Sequence, residues 1–564
     1  MPIRRAGQVS SFFVVSIAAV LLLIAFGAAL FGLGSSGGVP APGGTVSQAS
    51  NSGQTGESGE SGDSSKANDT EGGSTKTPRD RSTSSLLMYC AAGMRLPVEQ
   101  IAKDYEREYG VSVQLQYGGS NTLLSQLTIA RTGGLYLAGD DSYIQMAQDS
   151  GLVKEAIPLA TMRPVIAVKK GNPKQIRGVD DLLRDDVTTV VGNPDQAAIG
   201  KKTRSLLTKS GHWERLERHI TDTGVFKPTV PEVANDVKLG SIDAGIVWDS
   251  TLALYPDLEA IRVPELDAGT ALVSVGIITG EEHPQEALKF ARYLAASDRG
   301  LVTFEKSGFE VVEGDVWAER PEITFFCGSV NRRAVERLLR NFEQREGVVV
   351  NTVYNGCGIL TAQMKTIRDQ RQGAGFPDTY MACDRYYLDN VKEWFQEDVD
   401  ISDTEVVIAV PKGNPANIRS LKDLTKEGMR VAIGQPEQCT IGVLTLDLLK
   451  AEGIMDEVMK NVVTQTATSA LLLPTVTTRS VDAALTYATD TQAEGDKVDT
   501  IAIHSEAATA VQPFAIASSS QHKELSRRLY RTVAAARTTF EAVGFHFRLD
   551  TPLISGKTVR RGGE

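Results

Sequence analysis

The chain has 564 residues and a formal net charge of −11, with 59 Lys and Arg against 70 Asp and Glu. That balance excludes broad electrostatic capture of nucleic acid, although backbone N–H groups and helix N-termini can hold a small anion without any net positive charge. The length accommodates an N-terminal stretch of about 80 residues that folds poorly and two blocks of about 235, each large enough for its own core.

Arg4 and Arg5 precede Phe12 to Leu33, a stretch without a charged residue. Some 20 apolar residues behind a basic N-terminus predict a membrane anchor over residues 1–34, with the rest of the chain exported to the periplasmic side and tethered to the inner membrane. A cleaved signal peptide is the rival reading. Residues 35–84 are Gly, Ser, Thr, Asn and acidic residues, the composition of a flexible linker.

From residue 85 the chain follows an α/β rhythm. LLMYCAA (86–92) reads as a strand and LPVEQIAKDYEREYG (96–110) as an amphipathic helix stopped by Gly110. VSVQLQY (111–117) alternates as a second strand, GGSNTLLSQLTIAR opens a second helix, and LYLAGDD (135–141) is a third strand. The order then recurs. VIAVKKGNPKQIRGVDDL (165–182) returns as VIAVPKGNPANIRSLKDL (407–424), identical at twelve of eighteen positions. QYGGSNTLLSQL (116–127) returns as VYNGCGILTAQM (353–364), GNPDQAAIG (192–200) as GQPEQCTIG (434–442) and SIDAGIVW (241–248) as SVDAALTY (480–487). A repeat near 240 residues is duplication of a whole domain. The predicted copies span 85–316 and 320–550, followed by a tail over 551–564. Alternating strands and helices predict parallel sheets covered on both faces, with a ligand beyond the carboxyl ends of the strands.

The turns at those ends carry a resemblance. AAGM, YGGSN, LYLAGDD, GNPDQ and IDAGIVW occur in the order found in extracellular solute-binding proteins of the molybdate-binding type, and both copies share it. The resemblance implies two copies of a two-lobed type II periplasmic-binding-protein fold, each closing on a small oxyanion and delivering it to an ABC permease. It also implies a ligand held by backbone N–H groups and hydroxyls. Residue by residue it points to Gly93, Ser120, Asn121, Ala198, Ile199 and Val230 in the first copy. Trp248 stands there at the family tyrosine, and Tyr487 keeps that tyrosine in the second. Bland readings compete: Gly118 and Gly119 as turn residues, Ser120 as an N-cap, Trp248 as a core aromatic, Arg95 and Arg332 as solvated arginines.

The second copy departs from the pattern through cysteine. Cys327 matches Cys90 and reads as structural, whereas Cys357, Cys383 and Cys439 replace Ser120, Gly139 and Ala197 at ligand-facing turns. Three readings stay open: a soft-metal or thiol-ligand site of Cys357, Cys383 and Cys439 (with Cys327 as a further candidate), a disulfide within one lobe, or an inert lining. The spacings match no CxxC-type metal signature.

Nothing indicates catalysis. Outside the Gly/Ser-rich N-terminal stretch no GxSxG string occurs, no HExxH or P-loop string occurs anywhere, and Asp140 and Asp384 read as helix caps. The chain therefore reads as a binding protein and not an enzyme. A thiol-ligated metal or redox protein on the same scaffold is the alternative.

Overall fold

The computed structural model describes residues 85–369 and 375–549. Each copy forms two α/β lobes. The first lobe of the first copy is built on strands β1 (Ser85–Ala91), β2 (Ser112–Gly118) and β3 (Leu135–Ala138). β1 lies parallel between the other two. The sequence dictates its covering helices directly. In Arg95–Tyr109 the buried residues Val98, Ile101, Ala102 and Tyr105 recur at the helical period, and Gly110 ends the helix at φ 70° while donating to Glu106 O. The counterpart helix Arg332–Glu346 ends in the same way at Gly347, φ 68°.

The expected all-parallel sheets are found only in part. β4 (Val153–Met162) and β10 (Ala271–Ile278) join the first-lobe sheet antiparallel, giving the order β2-β1-β3-β10-β4 with β11 (Glu310–Val311) at the edge. These strands carry the chain out of the lobe and back, so the crossing sets their direction. The second lobe holds β5 (Pro164–Lys169), β6 (Thr189–Gly192), β7 (Val225–Lys227), β8 (Ala244–Trp248) and β9 (Leu258–Ile261), in the order β7-β6-β8-β5-β9.

The second copy repeats this plan with β12 (Glu322–Gly328), β13 (Val349–Asn355) and β14 (Thr379–Met381) in its first lobe. Its crossing is one continuous strand, β15 (Phe395–Pro411). Residues up to Glu405 pair with β17 (Thr509–Ala517) of the first lobe, and those from Val406 pair with β16 (Ala483–Tyr487) of the second. The lobes are therefore hinged on a shared strand.

The first lobes of the two copies pack on each other. Glu346, only 2 % exposed, sits between Arg528 (2.8 Å) and Arg292 (3.3 Å). Arg345 pairs with Glu155, Lys523 with Glu313 (2.6 Å), and Asp315 accepts the backbone N–H groups of Glu524 and Leu525. All these residues belong to first lobes. Burial opposes ionisation of Glu346, but Arg528 and Arg292 outweigh it and hold the carboxyl below its usual range.

One expectation is corrected. The anchor read over residues 12–33 lies outside the described residues, and among the described residues no helix is long and apolar enough to cross a membrane. The helices Arg95–Tyr109 and Arg332–Glu346 run to 15 residues each and carry charges throughout, where a span needs about 20 apolar ones. The transmembrane segment, the attachment through it and the tethering to the inner membrane are withdrawn together.

Candidate functional site

In the first copy a pocket opens between the lobes, beyond the carboxyl ends of the strands. Its lining includes Gly93, Ser120, Ala198, Ile199, Val230 and Trp248, together with Gly119 and Gly139. Three helices begin there: Ser120–Ala130, Ala198–Lys209 and Val230–Leu239. None has a side-chain cap on its first turn, because Gly119 and Ala197 offer no acceptor and the Thr229 hydroxyl donates to Glu232 instead. Free N–H donors and the positive ends of three helix dipoles thus converge on one small, mostly apolar space.

Ser120 is held in the orientation such a site needs. Its Oγ accepts the N–H of Gly139 at 3.1 Å, which leaves the hydroxyl proton to donate into the pocket. Tyr136, fully buried, donates to Ser120 O at 2.7 Å and fixes the turn from behind. Asn121 does not line the pocket. Its side-chain amide donates across the cleft to Asp195 O at 2.8 Å and its N–H to Gln196 O at 3.0 Å, so it ties lobe to lobe.

The lobes are closed. A Cβ on Gly119 would lie 2.4 Å from Gln196 O and 2.6 Å from Pro228 O, both backbone atoms of the opposing lobe. Gly119 is at φ −69°, so this close approach, and not left-handed geometry, demands glycine. Gly356 in the second copy meets Gln438 O and Ala467 O at the same two distances. Lys202 reaches Asp140 across the first cleft at 2.7 Å, and Lys201 donates to Ser142 Oγ at 3.1 Å. Asp140 also caps the following helix through Ser142 N, as Asp384 does through Tyr386 N. Sequence reading missed Gly119, Lys201 and Lys202 as cleft residues. The lysines did leave a signal, since two cations at the fourth and fifth positions of the helix Ala198–Lys209 run against its dipole and need another reason to be there. Arg95 and Arg332 are surface residues, stacked at 5.0 Å and 5.2 Å over Tyr117 and Tyr354.

The corresponding place in the second copy is filled by side chains. Val330 stands for Gly93, Cys383 for Gly139 and Cys439 for Ala197. Cys357 begins the helix Cys357–Asp369, and its Sγ accepts the Cys383 N–H at 3.0 Å, as Ser120 accepts Gly139. The Cys357 and Cys383 sulfurs are 3.1 Å apart. They meet over Gly328, where a Cβ would come within 2.3 Å of one sulfur and 2.8 Å of the other. The first copy has Ala91 at that position. Cys439 turns aside, donating to Thr466 O at 3.4 Å, and Cys327 is fully buried behind the cleft.

Burial disfavours a charge on Cys357. The Cys383 thiol and N–H, and the approaching hydroxyls of Tyr380 and Thr440, more than offset this, so its pKa is lowered. The proton stays on Cys383, whose pKa is raised by its bond to Cys357 and by burial. The hydroxyls of Tyr380, Thr440 and Tyr487 are buried without a partner at bonding geometry. Among the described residues no group of three or more His, Cys, Asp or Glu is placed to hold a metal ion. All five cysteines are free.

Comparison with known proteins places these features in context. A model of the family described as bacterial extracellular solute-binding protein matches residues 86–310 and again 323–546. The molybdate-binding protein ModA of Mycobacterium tuberculosis is 27% identical over 229 residues, 40% of this chain and 84% of that protein. ModA of Escherichia coli is 24% identical over 240 residues, 40% of this chain and 89% of its own length. Among solved structures, the periplasmic molybdate-binding protein of Azotobacter vinelandii matches with a TM-score of 0.35 at 14% identity, covering 40% of this chain and 98% of that one.

Proposed function

We propose, from the premise that the chain belongs to the family of bacterial extracellular solute-binding proteins, that its first copy is the clamp for a small tetrahedral oxyanion of the molybdate or tungstate kind, passed on to an ABC permease. Members of this family bind and do not catalyse, and the chain is not an enzyme. The convergence of three uncapped helix N-termini on the Ser120 hydroxyl carries this reading. An anion there gains hydrogen bonds from donors that are otherwise unmet, in a space from which closure excludes water. The absence of an arginine or lysine from the lining fits a ligand chosen by cavity size and donor number.

The second copy is a poor equivalent. The hydroxyl of Ser120 is replaced by a larger sulfur that is a weaker hydrogen-bond donor, and Cys383 and Val330 occupy space that is open above Gly139 and Gly93. We read it as a clamp frame whose ligand chemistry has changed through its cysteines.

Titration calorimetry of the full chain with molybdate, tungstate, sulfate and phosphate tests the first part. The expected result is one site per chain for at least one of them, weakened in Ser120→Ala by about 1.5–3 kcal/mol, the scale of one hydrogen bond to a charged group. No heat and no thermal shift with any of the four would reject the reading.

A further inference from the structure

We propose that Cys357 and Cys383 form a reversible dithiol–disulfide couple in the second cleft, with Cys357 as the attacking sulfur and a small organic disulfide as its reaction partner. The two sulfurs are 3.1 Å apart, with Cys357 accepting the backbone N–H of Cys383. A disulfide bond of about 2.05 Å requires a further approach of roughly 1 Å. A tetrahedral zinc, with bonds of about 2.3 Å, would hold two sulfurs near 3.8 Å, and Cys439 points to Thr466 O and not to the pair. The arrangement is that of a pair and not of a three-thiolate cage.

Three further observations converge on the pair. Gly328 replaces Ala91, and only the missing Cβ lets both sulfurs lie over the end of β12, so three substitutions (Gly328, Cys357 and Cys383) act as one. Cys357 starts a 13-residue helix, where the dipole favours a negative sulfur. The hydroxyls of Tyr380 and Thr440 are buried without a partner, and the Cys383 thiol and N–H lower the Cys357 pKa against the effect of burial.

The chemistry balances as an exchange in two steps. The Cys357 thiolate attacks one sulfur of an external disulfide RS–SR, forming a Cys357–S–S–R mixed disulfide and releasing RS⁻. Cys383, losing its proton, then attacks the Cys357 sulfur, forms the internal disulfide and releases a second RS⁻, which takes up that proton. The protein is oxidised by two electrons and the external disulfide is reduced to two thiols. Cys357 is fully buried and Cys383 is 5 % exposed, while Tyr387 bridges the lobes to Pro436 O at 3.0 Å. Exchange therefore proceeds through the opened clamp.

The test uses the reduced full chain, freed of reductant and incubated with oxidised glutathione, followed by mass analysis and peptide mapping. The expected product has lost two hydrogens and carries one crosslink, Cys357 to Cys383, with the other three cysteines still alkylatable. Dithiothreitol reverses it, Cys357→Ser and Cys383→Ser abolish it, and Cys439→Ser retains it. Gly328→Ala, which keeps both thiols and restores the residue of the first copy, slows crosslinking at least tenfold. The wild-type crosslink map needs no variant to fold. Persistence of both thiols, a bond to Cys439, a stable glutathione adduct, or copurified zinc or copper that blocks alkylation of the pair would each overturn the proposal.

Discussion

At the second turn of each copy a helix begins with a small polar residue, Ser120 in the first and Cys357 in the second. Each accepts a backbone N–H from the third-strand turn, at 3.1 Å from Gly139 and 3.0 Å from Cys383. The same backbone donor is thus met in both copies, and the atom that accepts it is different. A hydroxyl so held has a proton to give, whereas a sulfur there is a weak donor and, with its pKa lowered, a readier nucleophile. The latch differs as well. Lys202 reaches Asp140 across the first cleft, but its counterpart is Leu444, and Asp384 accepts from Val511 N of its own lobe instead. Duplication left the hinge and the glycine contact intact while the chemistry between the lobes diverged.

The strongest way to break this comparison is to exchange the chemistry. The triple variant Ala91→Gly, Ser120→Cys, Gly139→Cys should abolish oxyanion binding by the first copy and give it an oxidisable thiol pair. A Cβ at 139 meets nothing closer than 3.5 Å, so the fold should survive. Calorimetry and thiol counting report the two effects, and retained anion affinity would show that the two clefts do not differ for the stated reason.

Next in size is the latch. Lys202→Leu gives the first copy the second copy's residue and leaves Asp140, 4 % exposed, without its cation. Ligand affinity should fall roughly tenfold, about 1.4 kcal/mol, because the closed state loses an ion pair that the open state lacks. Unchanged affinity would mean that closure does not use this pair.

The smallest expected effect is common to both copies. The folded pKa of Glu346 lies below its unfolded value, so its contribution is present above the ordinary carboxylate range and is lost as pH falls through the folded value. Melting measured from pH 6 to pH 3 should show a loss of stability toward acid that Glu346→Gln no longer shows. A loss confined to one copy would contradict the shared packing of the first lobes.

The element order, the turns facing the cleft and most of the pocket lining were legible in the sequence, because periodicity marks helices and strands and the duplication supplied an internal comparison. Sheet polarity was not. β4 and β10 pair across more than a hundred residues, and a strand looks alike whichever way its neighbour runs. Gly119 read as a turn residue because glycine in a turn has a sufficient local reason, and the opposing carbonyls that require it come from residues 196 and 228. Asn121 was expected at the ligand, and its short amide instead reaches a backbone carbonyl of the other lobe. The cysteines could be assigned to the cleft by position. A bond within one lobe was among the readings left open for them, but how closely Cys383 and Cys357 meet depends on the space over Gly328, which no spacing rule encodes.

The Arg292–Glu346 and Glu155–Arg345 ion pairs join first lobe to first lobe, so each second lobe is attached through its own strand crossing to a common base. The two copies are then not beads on a string. The separation of their clefts is set by packed side chains and not by chain statistics, and a partner gripping the base would meet both at a fixed spacing with no search along a tether. The seat of each clamp is thereby fixed by contacts that neither second lobe takes part in.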